Sequence, residues 1–217
     1  MIHNRLTLLP PESLVRTGPV DHADWNYRPF LGSIQRRRFH LALKLLGTQR
    51  WHRLLEIGYG SGVFMPELAN RCDELYGIDV HQRSEEVAAS LSRSGVSARL
   101  RSGSATELPF EGCYFDAAVC ISALEFVDDI EKACAEIVRV LVGSGVLVVV
   151  TPGHSAVLDL GLKLLTGASA KQDFAGRRES TISALKQRFS VIASSSFPPF
   201  SPSFMRLYQA FKLTPRD

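Results

Sequence analysis

The chain has no long run of apolar residues. None of its uninterrupted apolar stretches exceeds the five residues of 146–150, whereas a membrane-spanning helix needs about 20. Residues 1–11 also lack the basic region and apolar segment of a secretory signal peptide. We therefore expect no transmembrane segment and a cytoplasmic location.

Cysteine is scarce and forms no pattern. The four cysteines show no C-x-x-C pair and no histidine at metal-ligand spacing. This excludes the usual sequence signatures of a zinc site and of a disulfide framework. We expect reduced thiols and no bound metal.

Net charge is also low, at +3 over 217 residues. The charge is uneven, because residues 1–53 hold nine Lys or Arg against three Asp or Glu. The triplet Arg36-Arg37-Arg38 lies in this basic third. Such a patch can meet nucleic acid, anionic lipid or an acidic substrate, but three arginines are too few to displace the simpler explanation of a solvated helix face. We expect no nucleic-acid partner.

Two common nucleotide-binding motifs are missing, yet a related one is present. The stretch 54–62, LLEIGYGSG, reads acid-x-G-x-G-x-G, so its third glycine comes one residue too early for G-x-G-x-x-G. No lysine follows to complete a phosphate loop. An apolar run leading into three alternating glycines indicates a buried strand that turns sharply beside a ligand. Asp79 ends the next apolar run, about 20 residues on, where a carboxylate can accept hydrogen bonds from ribose.

Strand and helix patterns alternate along the chain. We predict strands near 54–57, 75–79, 98–101, 115–121 and 145–151, and helices near 33–46, 62–71, 83–93 and 129–142. Asp128 is the expected cap of the helix at 129–142, and Gly143 its expected stop. Weaker patterns predict helices at 154–166 and 178–188 and a terminal strand pair at 189–197 and 206–213. This alternation is typical of a mostly parallel sheet with helices on both faces.

Five motifs in order resemble the class I S-adenosylmethionine-dependent methyltransferase family. They are the glycine loop, Gly77-Ile78-Asp79, the stretch 104–116, the stretch 119–127, and Gly143-Ser144-Gly145 with the apolar strand after it. The resemblance implies an α/β, Rossmann-like, doubly wound fold with a mostly parallel seven-stranded sheet and an antiparallel terminal strand pair. It also implies a methyltransferase domain at 33–217, with a variable substrate-side insertion at 152–188 and an N-terminal lid or extension at 1–32.

The resemblance further implies S-adenosylmethionine as cofactor and assigns its contacts. Glu56 would orient the loop, Asp79 would hold the ribose, and Val80 would pack on the adenine. The other expected cofactor-binding residues are Gly58, Tyr59, Gly60, Gly62, Ser104, Ala105 and Ile121. Each also has an ordinary structural explanation, as a turn or core residue.

Two positions depart from the family pattern. Relatives often have aspartate where this chain has Ser104, and histidine where it has Phe126. Any proton removal must therefore come from elsewhere. His154, after the fifth strand, is one candidate catalytic residue, and Tyr27 in the N-terminal lid is another.

The function expected from these features is methyl transfer to the O, N or C atom of a small molecule. Trp25, Tyr27 and Phe30 precede the first helix, and apolar residues recur in the variable segment. Both features favour an acceptor with an apolar or aromatic portion, and peripheral contact with a lipid-like substrate is compatible with them. Two alternatives remain open: a catalytically silent cofactor-binding module, and an RNA or protein methyltransferase.

Overall fold

The computed structural model describes residues 6–19, 21–153 and 173–216, without the side chains of residues 173–176 and 203. Across these ranges the chain forms one seven-stranded sheet. Its strands are β1 (Trp51–Ile57), β2 (Cys72–Asp79), β3 (Arg99–Ser102), β4 (Phe115–Ile121), β5 (Leu141–Pro152), β6 (Phe189–Phe197) and β7 (Tyr208–Pro215).

The α-helices of the described ranges connect and cover these strands. They are α1 (Leu31–Leu46), α2 (Met65–Ala69), α3 (Ser84–Arg93), α4 (Ile130–Val140) and α5 (Asp173–Arg188). Short 3₁₀ turns occur at Pro11–Ser13, Ala23–Tyr27, Leu124–Phe126 and Ser203–Met205.

The strand order places β1 and β4 side by side in the middle of the sheet. The order is β3-β2-β1-β4-β5-β7-β6, and β1 to β5 pair in parallel while β7 is antiparallel to both β5 and β6. The predicted Rossmann-like class with an antiparallel terminal pair is therefore confirmed. Because the chain runs outward from β1 to β3 and then returns to β4, the carboxyl ends of β1 and β4 border a topological switch point, where ligands of such sheets bind.

Two apolar layers hold the helices against the sheet. Side chains of alternating strand positions, such as Leu54 and Val119, pack with Phe39 of α1 on one face. Leu55 and Cys120 pack with the buried face of α4 on the other. The middle of β4 is fully buried on both faces, which explains its unbroken apolar sequence.

The predicted limits of several helices are wrong, and the helix predicted at 178–188 already begins at Asp173. The helix predicted at 62–71 shrinks to α2, because Gly62 has a positive φ and Pro66 occupies the first helical turn. The helix predicted at 129–142 ends at Val140, because Leu141 already pairs with Phe115 of β4. Gly143 consequently lies inside β5 and does not act as a helix stop.

The capping residue of α4 is also one position later than predicted. The Asp129 side chain accepts a hydrogen bond from the backbone N–H of Lys132, with 3.0 Å between Oδ1 and N. Asp128, the predicted cap, instead has a 91% exposed side chain that pairs with Arg177 at 3.3 Å.

No helix in the described part of the chain is both long and apolar enough to cross a membrane.

We predict that Asp129→Ala lowers the free energy of unfolding by about 1 kcal/mol, because one N–H group of α4 loses its acceptor. Asp128→Ala is the matched control, with a change of about 0.5 kcal/mol or less, since exposed ion pairs contribute little. Urea denaturation of the three proteins measures both. Equal losses in the two variants would contradict the capping assignment.

Candidate cofactor and acceptor site

The glycine loop turns the chain at the carboxyl end of β1. Gly58, Gly60 and Gly62 all have positive φ, at 77°, 52° and 72°. A Cβ on Gly58 would lie 2.3 Å from the Cβ of Ala123 after β4, so this glycine allows the two strand ends to meet. A Cβ on Gly60 would meet nothing closer than Asp21 Oδ1 at 3.9 Å. The loop therefore packs closely against Ala123 at Gly58, whereas there is free space beside Gly60.

Asp79 fixes the open part of this loop. Its Oδ2 accepts a hydrogen bond from the backbone N–H of Gly60 at 2.8 Å, and its Oδ1 lies 3.4 Å from the N–H of His81. His81 Nε2 lies 3.0 Å from the carbonyl oxygen of Gly60, and its ring meets the Tyr59 ring edge-on. The ends of β1 and β2 thus share one polar network.

Glu56 is buried two residues before the first glycine. It is 4% exposed, and its Oε2 has no hydrogen-bond partner in the described structure. Burial raises its pKa to about 8, and the nearby charge of Asp79 adds to that rise. The guanidinium of Arg38 on α1 acts in the opposite direction and favours the carboxylate. A cationic ligand group beside Glu56 would further stabilise the ionised form.

Arg38 lies within electrostatic reach of Glu56, and the sequence reasoning did not assign it a role. Burial lowers its pKa, whereas the charges of Asp21, Glu56 and Glu125 raise it. Its Nε is buried without a partner among the described residues. The sequence did contain a signal, because Arg38 shares the apolar stripe of α1 with Ile34, Leu41 and Leu45. An arginine on a buried stripe indicates a guanidinium directed inward.

Several further polar atoms around the loop are buried and lack a partner within the described residues. They are the Tyr59 hydroxyl, Ser61 Oγ, Ser122 Oγ and both carboxylate oxygens of Glu125. Buried polar groups in folded proteins are nearly always hydrogen-bonded, so such a concentration at one sheet edge indicates a site completed by a ligand or by water.

The remaining residues predicted to bind the cofactor border this edge. Val80 is 71% exposed directly after Asp79, while Ala105 and Ile121 are buried. The Ser104 hydroxyl accepts a hydrogen bond from the Thr106 N–H at 3.1 Å and contacts the Thr106 hydroxyl at 2.8 Å. Ser104 therefore already has local partners, in addition to lacking the charge of an aspartate.

The segment before α1 contacts the loop region through a buried side chain and hydrogen bonds. Leu9 is fully buried, and its N–H donates to the carbonyl of Val63 at 3.0 Å. The Tyr27 hydroxyl donates to the carbonyl of Leu9. Burial raises the pKa of Tyr27 to about 12, which disfavours this hydroxyl as a base at neutral pH. His154, the other predicted catalytic residue, lies outside the described residues.

No group of three or more potential metal-ligating side chains occurs within the ranges that the structure describes. The fold, the glycine loop and Asp79 agree with the arrangement expected of a class I S-adenosylmethionine-dependent methyltransferase domain. The family resemblance seen in the sequence is confirmed by comparison with known proteins. Residues 55–149 match the family described as "Methyltransferase domain".

Curated relatives extend this match. A Bacillus subtilis protein described as an uncharacterized methyltransferase, YcgJ, is 31% identical over 153 residues, which cover 69% of this chain and 60% of that protein. A ubiquinone biosynthesis O-methyltransferase from Bordetella avium is 29% identical over 114 residues, covering 50% of this chain and 47% of that protein. The chain thus matches about half of the length of these relatives.

Solved structures share the fold at lower identity. The N-methyltransferase NodS from Bradyrhizobium japonicum, in complex with S-adenosyl-L-homocysteine, aligns with a TM-score of 0.64 at 19% identity. The alignment covers 93% of this chain and 95% of that one. At this identity the likeness supports the fold alone.

We predict that Glu56→Gln changes how the stability of the ligand-free protein depends on pH. A carboxyl whose pKa is raised by folding binds its proton more tightly in the folded state, so wild-type stability falls as pH rises from about 4.5 to about 8. Glutamine has no proton to lose. Relative to Glu56→Gln, the wild type should lose on the order of 3 kcal/mol between about pH 5 and pH 8.

Urea denaturation at several pH values measures this difference. Glu131→Gln, a change at an exposed carboxylate on α4, is the control and should follow the wild type. Parallel pH profiles for wild type and Glu56→Gln would show that Glu56 is ionised throughout.

Proposed function

We propose that the protein transfers a methyl group from S-adenosylmethionine to a small-molecule acceptor that has an apolar or aromatic portion. The observation that carries this proposal is the placement of Glu56, Arg38, Asp79 and the glycine loop at one edge of the sheet. These groups match the charges and hydrogen-bonding groups of the cofactor, and several of them have unused bonding capacity.

The amino-acid end of the cofactor fits the buried charges beside β1. It carries an ammonium and a carboxylate, and the site offers a carboxylate from Glu56 and a guanidinium from Arg38. The open backbone at Gly60 allows close approach. Asp79 has lone pairs left after its bond to the loop and would accept from the ribose hydroxyls. Val80, Ala105 and Ile121 would enclose the adenine, with Ser104 at its edge.

The cofactor supplies a sulfonium-bound methyl group that is already electrophilic. The chain therefore has to bind both reactants, align the acceptor atom with the methyl group and exclude water. The buried ends of β1 and β4 provide a rigid base for that alignment. No metal is required for this chemistry.

The N-terminal segment is the proposed lid. The side chain of Asp21 accepts from the N–H and hydroxyl of Thr17 and lies near Gly60, so this part of the segment crosses the open loop. Its aromatic residues would then lie on the acceptor side. One reported relative is named for ubiquinone biosynthesis, and an acceptor with a ring or an apolar tail agrees with this arrangement.

The structure weakens the basis for an RNA acceptor. Arg36 donates to the carbonyl of Asn26 and the Nε of Arg38 is buried, so only Arg37 of the triplet is exposed. The guanidinium of Arg37 itself lies over the Phe197 ring, 5.1 Å from its centroid, so the triplet does not form a continuous basic face. The remaining competitors are a module that binds the cofactor without turnover and a protein methyltransferase.

Calorimetric titration with S-adenosylhomocysteine, followed by a screen for its release from S-adenosylmethionine, tests the proposal. We expect binding, and turnover with phenolic, quinol or lipid-like acceptors. Binding without turnover across these classes would favour the silent module. Steeply salt-dependent RNA binding would favour the nucleic-acid alternative.

We predict that Asp79→Ala weakens S-adenosylhomocysteine binding by about 1–3 kcal/mol, because ribose loses a charged acceptor and the loop loses its anchor at Gly60. Asp73→Ala is the matched control, since Asp73 is an exposed residue of the same strand that pairs with Arg50. Calorimetry on folded variants gives both affinities. Unchanged affinity in Asp79→Ala would remove the ribose assignment.

We further predict that Arg38→Met weakens binding of S-adenosylhomocysteine about 10-fold or more, because the cofactor carboxylate loses its cationic partner. Arg37→Met, one residue away on the exposed side of α1, should bind as tightly as the wild type. The two dissociation constants, measured at one salt concentration, decide the question. Equal affinities would place Arg38 outside the cofactor site.

A further inference from the structure

Glu125 is a buried carboxylate that the assignments above leave without a role. It lies in the 3₁₀ turn Leu124–Phe126, directly after β4. Leu124 packs into the core below the turn, and Glu125 itself is 2% exposed. Neither carboxylate oxygen has a hydrogen-bond partner on another described residue, and the backbone N–H of Glu125 itself favours the ionised form. A carboxylate that only stabilised the fold would be expected to be paired.

Two arginines, from helices on opposite faces of the sheet, lie within electrostatic reach of this carboxylate. Arg178 belongs to α5 and Arg38 to α1, and both favour the ionised form of Glu125. Burial, and after it the charge of Glu125, raises the pKa of the Cys120 thiol in β4. Arg178 donates one hydrogen bond to the carbonyl of Gly153 at 3.3 Å, while its Nε is buried and unpartnered within the described ranges. Burial is the largest influence and raises the pKa of Glu125 to about 7.

Arg38 links this carboxylate to the cofactor end of the site. The same guanidinium lies within electrostatic reach of both Glu56 and Glu125. Ala123, two residues before Glu125, meets the first glycine of the loop. Glu125 is therefore placed beside the loop, on the side of β4 and β5.

Resting on the methyltransferase function proposed above, we propose that Glu125 is the catalytic base that takes the proton from an aromatic hydroxyl of the acceptor. In this step the acceptor oxygen forms a bond to the methyl carbon, and the carbon–sulfur bond breaks. The bonding electrons go to sulfur, which gives neutral S-adenosylhomocysteine. The hydroxyl proton goes to the Glu125 carboxylate and then to solvent.

The chemistry of the site favours a phenol over an aliphatic alcohol. A carboxylate that titrates near neutral pH is a competent base for a hydroxyl with a pKa of about 10. An aliphatic hydroxyl is far less acidic. Other described candidates fit less well: Phe126 has no titratable group, and the Tyr27 hydroxyl is bonded to the carbonyl of Leu9. The two arginines would stabilise the phenolate that forms.

The first experiment measures the titration of Glu125 directly. Protein labelled with ¹³C at glutamate carboxyls is titrated by NMR, alone and saturated with S-adenosylhomocysteine. The Glu125 signal is the one missing from Glu125→Gln. We expect it to titrate near neutral pH in both states, and titration in the ordinary range of glutamate would overturn the proposal.

The second experiment measures proton uptake when 4-nitrocatechol binds to the S-adenosylhomocysteine complex at about pH 8, where the free probe and Glu125 are both ionised. Calorimetry in two buffers of different ionisation enthalpy gives the number of protons taken up. We expect about one proton per bound probe in wild type and in the control Glu131→Gln, because Glu125 shares a proton with the bound phenolate, and none in Glu125→Gln. Failure of the probe to bind wild type, or equal proton uptake in Glu125→Gln, would overturn the assignment.

The two proposals fail separately. Absence of S-adenosylhomocysteine binding by the wild type would refute the methyltransferase proposal, whereas the titration of Glu125 in the ligand-free protein would still be measured. Normal cofactor binding with an ordinary Glu125 pKa would refute only the base.

Discussion

The close approach of Gly58 to Ala123 is the constraint on which the site depends. A side chain at Gly58 would overlap the Cβ of Ala123, so the turns after β1 and β4 can meet only because that side chain is missing. Their meeting brings the glycine loop and the turn that carries Glu125 to the same edge of the sheet. The parallel pairing of β1 with β2 then adds Asp79 to that edge. One backbone contact at the switch point therefore sets the distance between the proposed cofactor and acceptor sides.

The same edge concentrates buried charge. Arg38 lies within electrostatic reach of both Glu56 and Glu125, and each of the three residues keeps at least one buried polar atom without a partner in the described structure. Desolvation of charged groups is costly, and attraction between them offsets it only in part. A zwitterionic cofactor and a polar acceptor group would supply the missing partners. The stability of this region and its capacity to bind ligand are thus two consequences of one arrangement.

The N-terminal segment combines a structural role in packing with its proposed role as a lid. Leu9 is buried against the domain, and backbone and side-chain hydrogen bonds tie its neighbourhood to Val63 and Tyr27. The proposed covering role then falls to the part around Asp21, which lies over Gly60. Removing the whole segment would therefore disturb packing as well as access to the site, so point substitutions around Asp21 separate the two roles better than truncation.

The sequence by itself determined the fold class, all seven strands and the glycine loop with Asp79, because apolar periodicity and glycine spacing are local properties of the chain. It did not determine the helix limits at α2 and α4, which depend on the φ of Gly62 and on the pairing of Leu141 with Phe115. Nor did it reveal that Arg38, Glu125 and Arg178 converge, since they come from α1, the turn after β4, and α5. Only the tertiary structure decides which charged residues are buried and desolvated at the same place. The proposed chemistry depends on that shared burial.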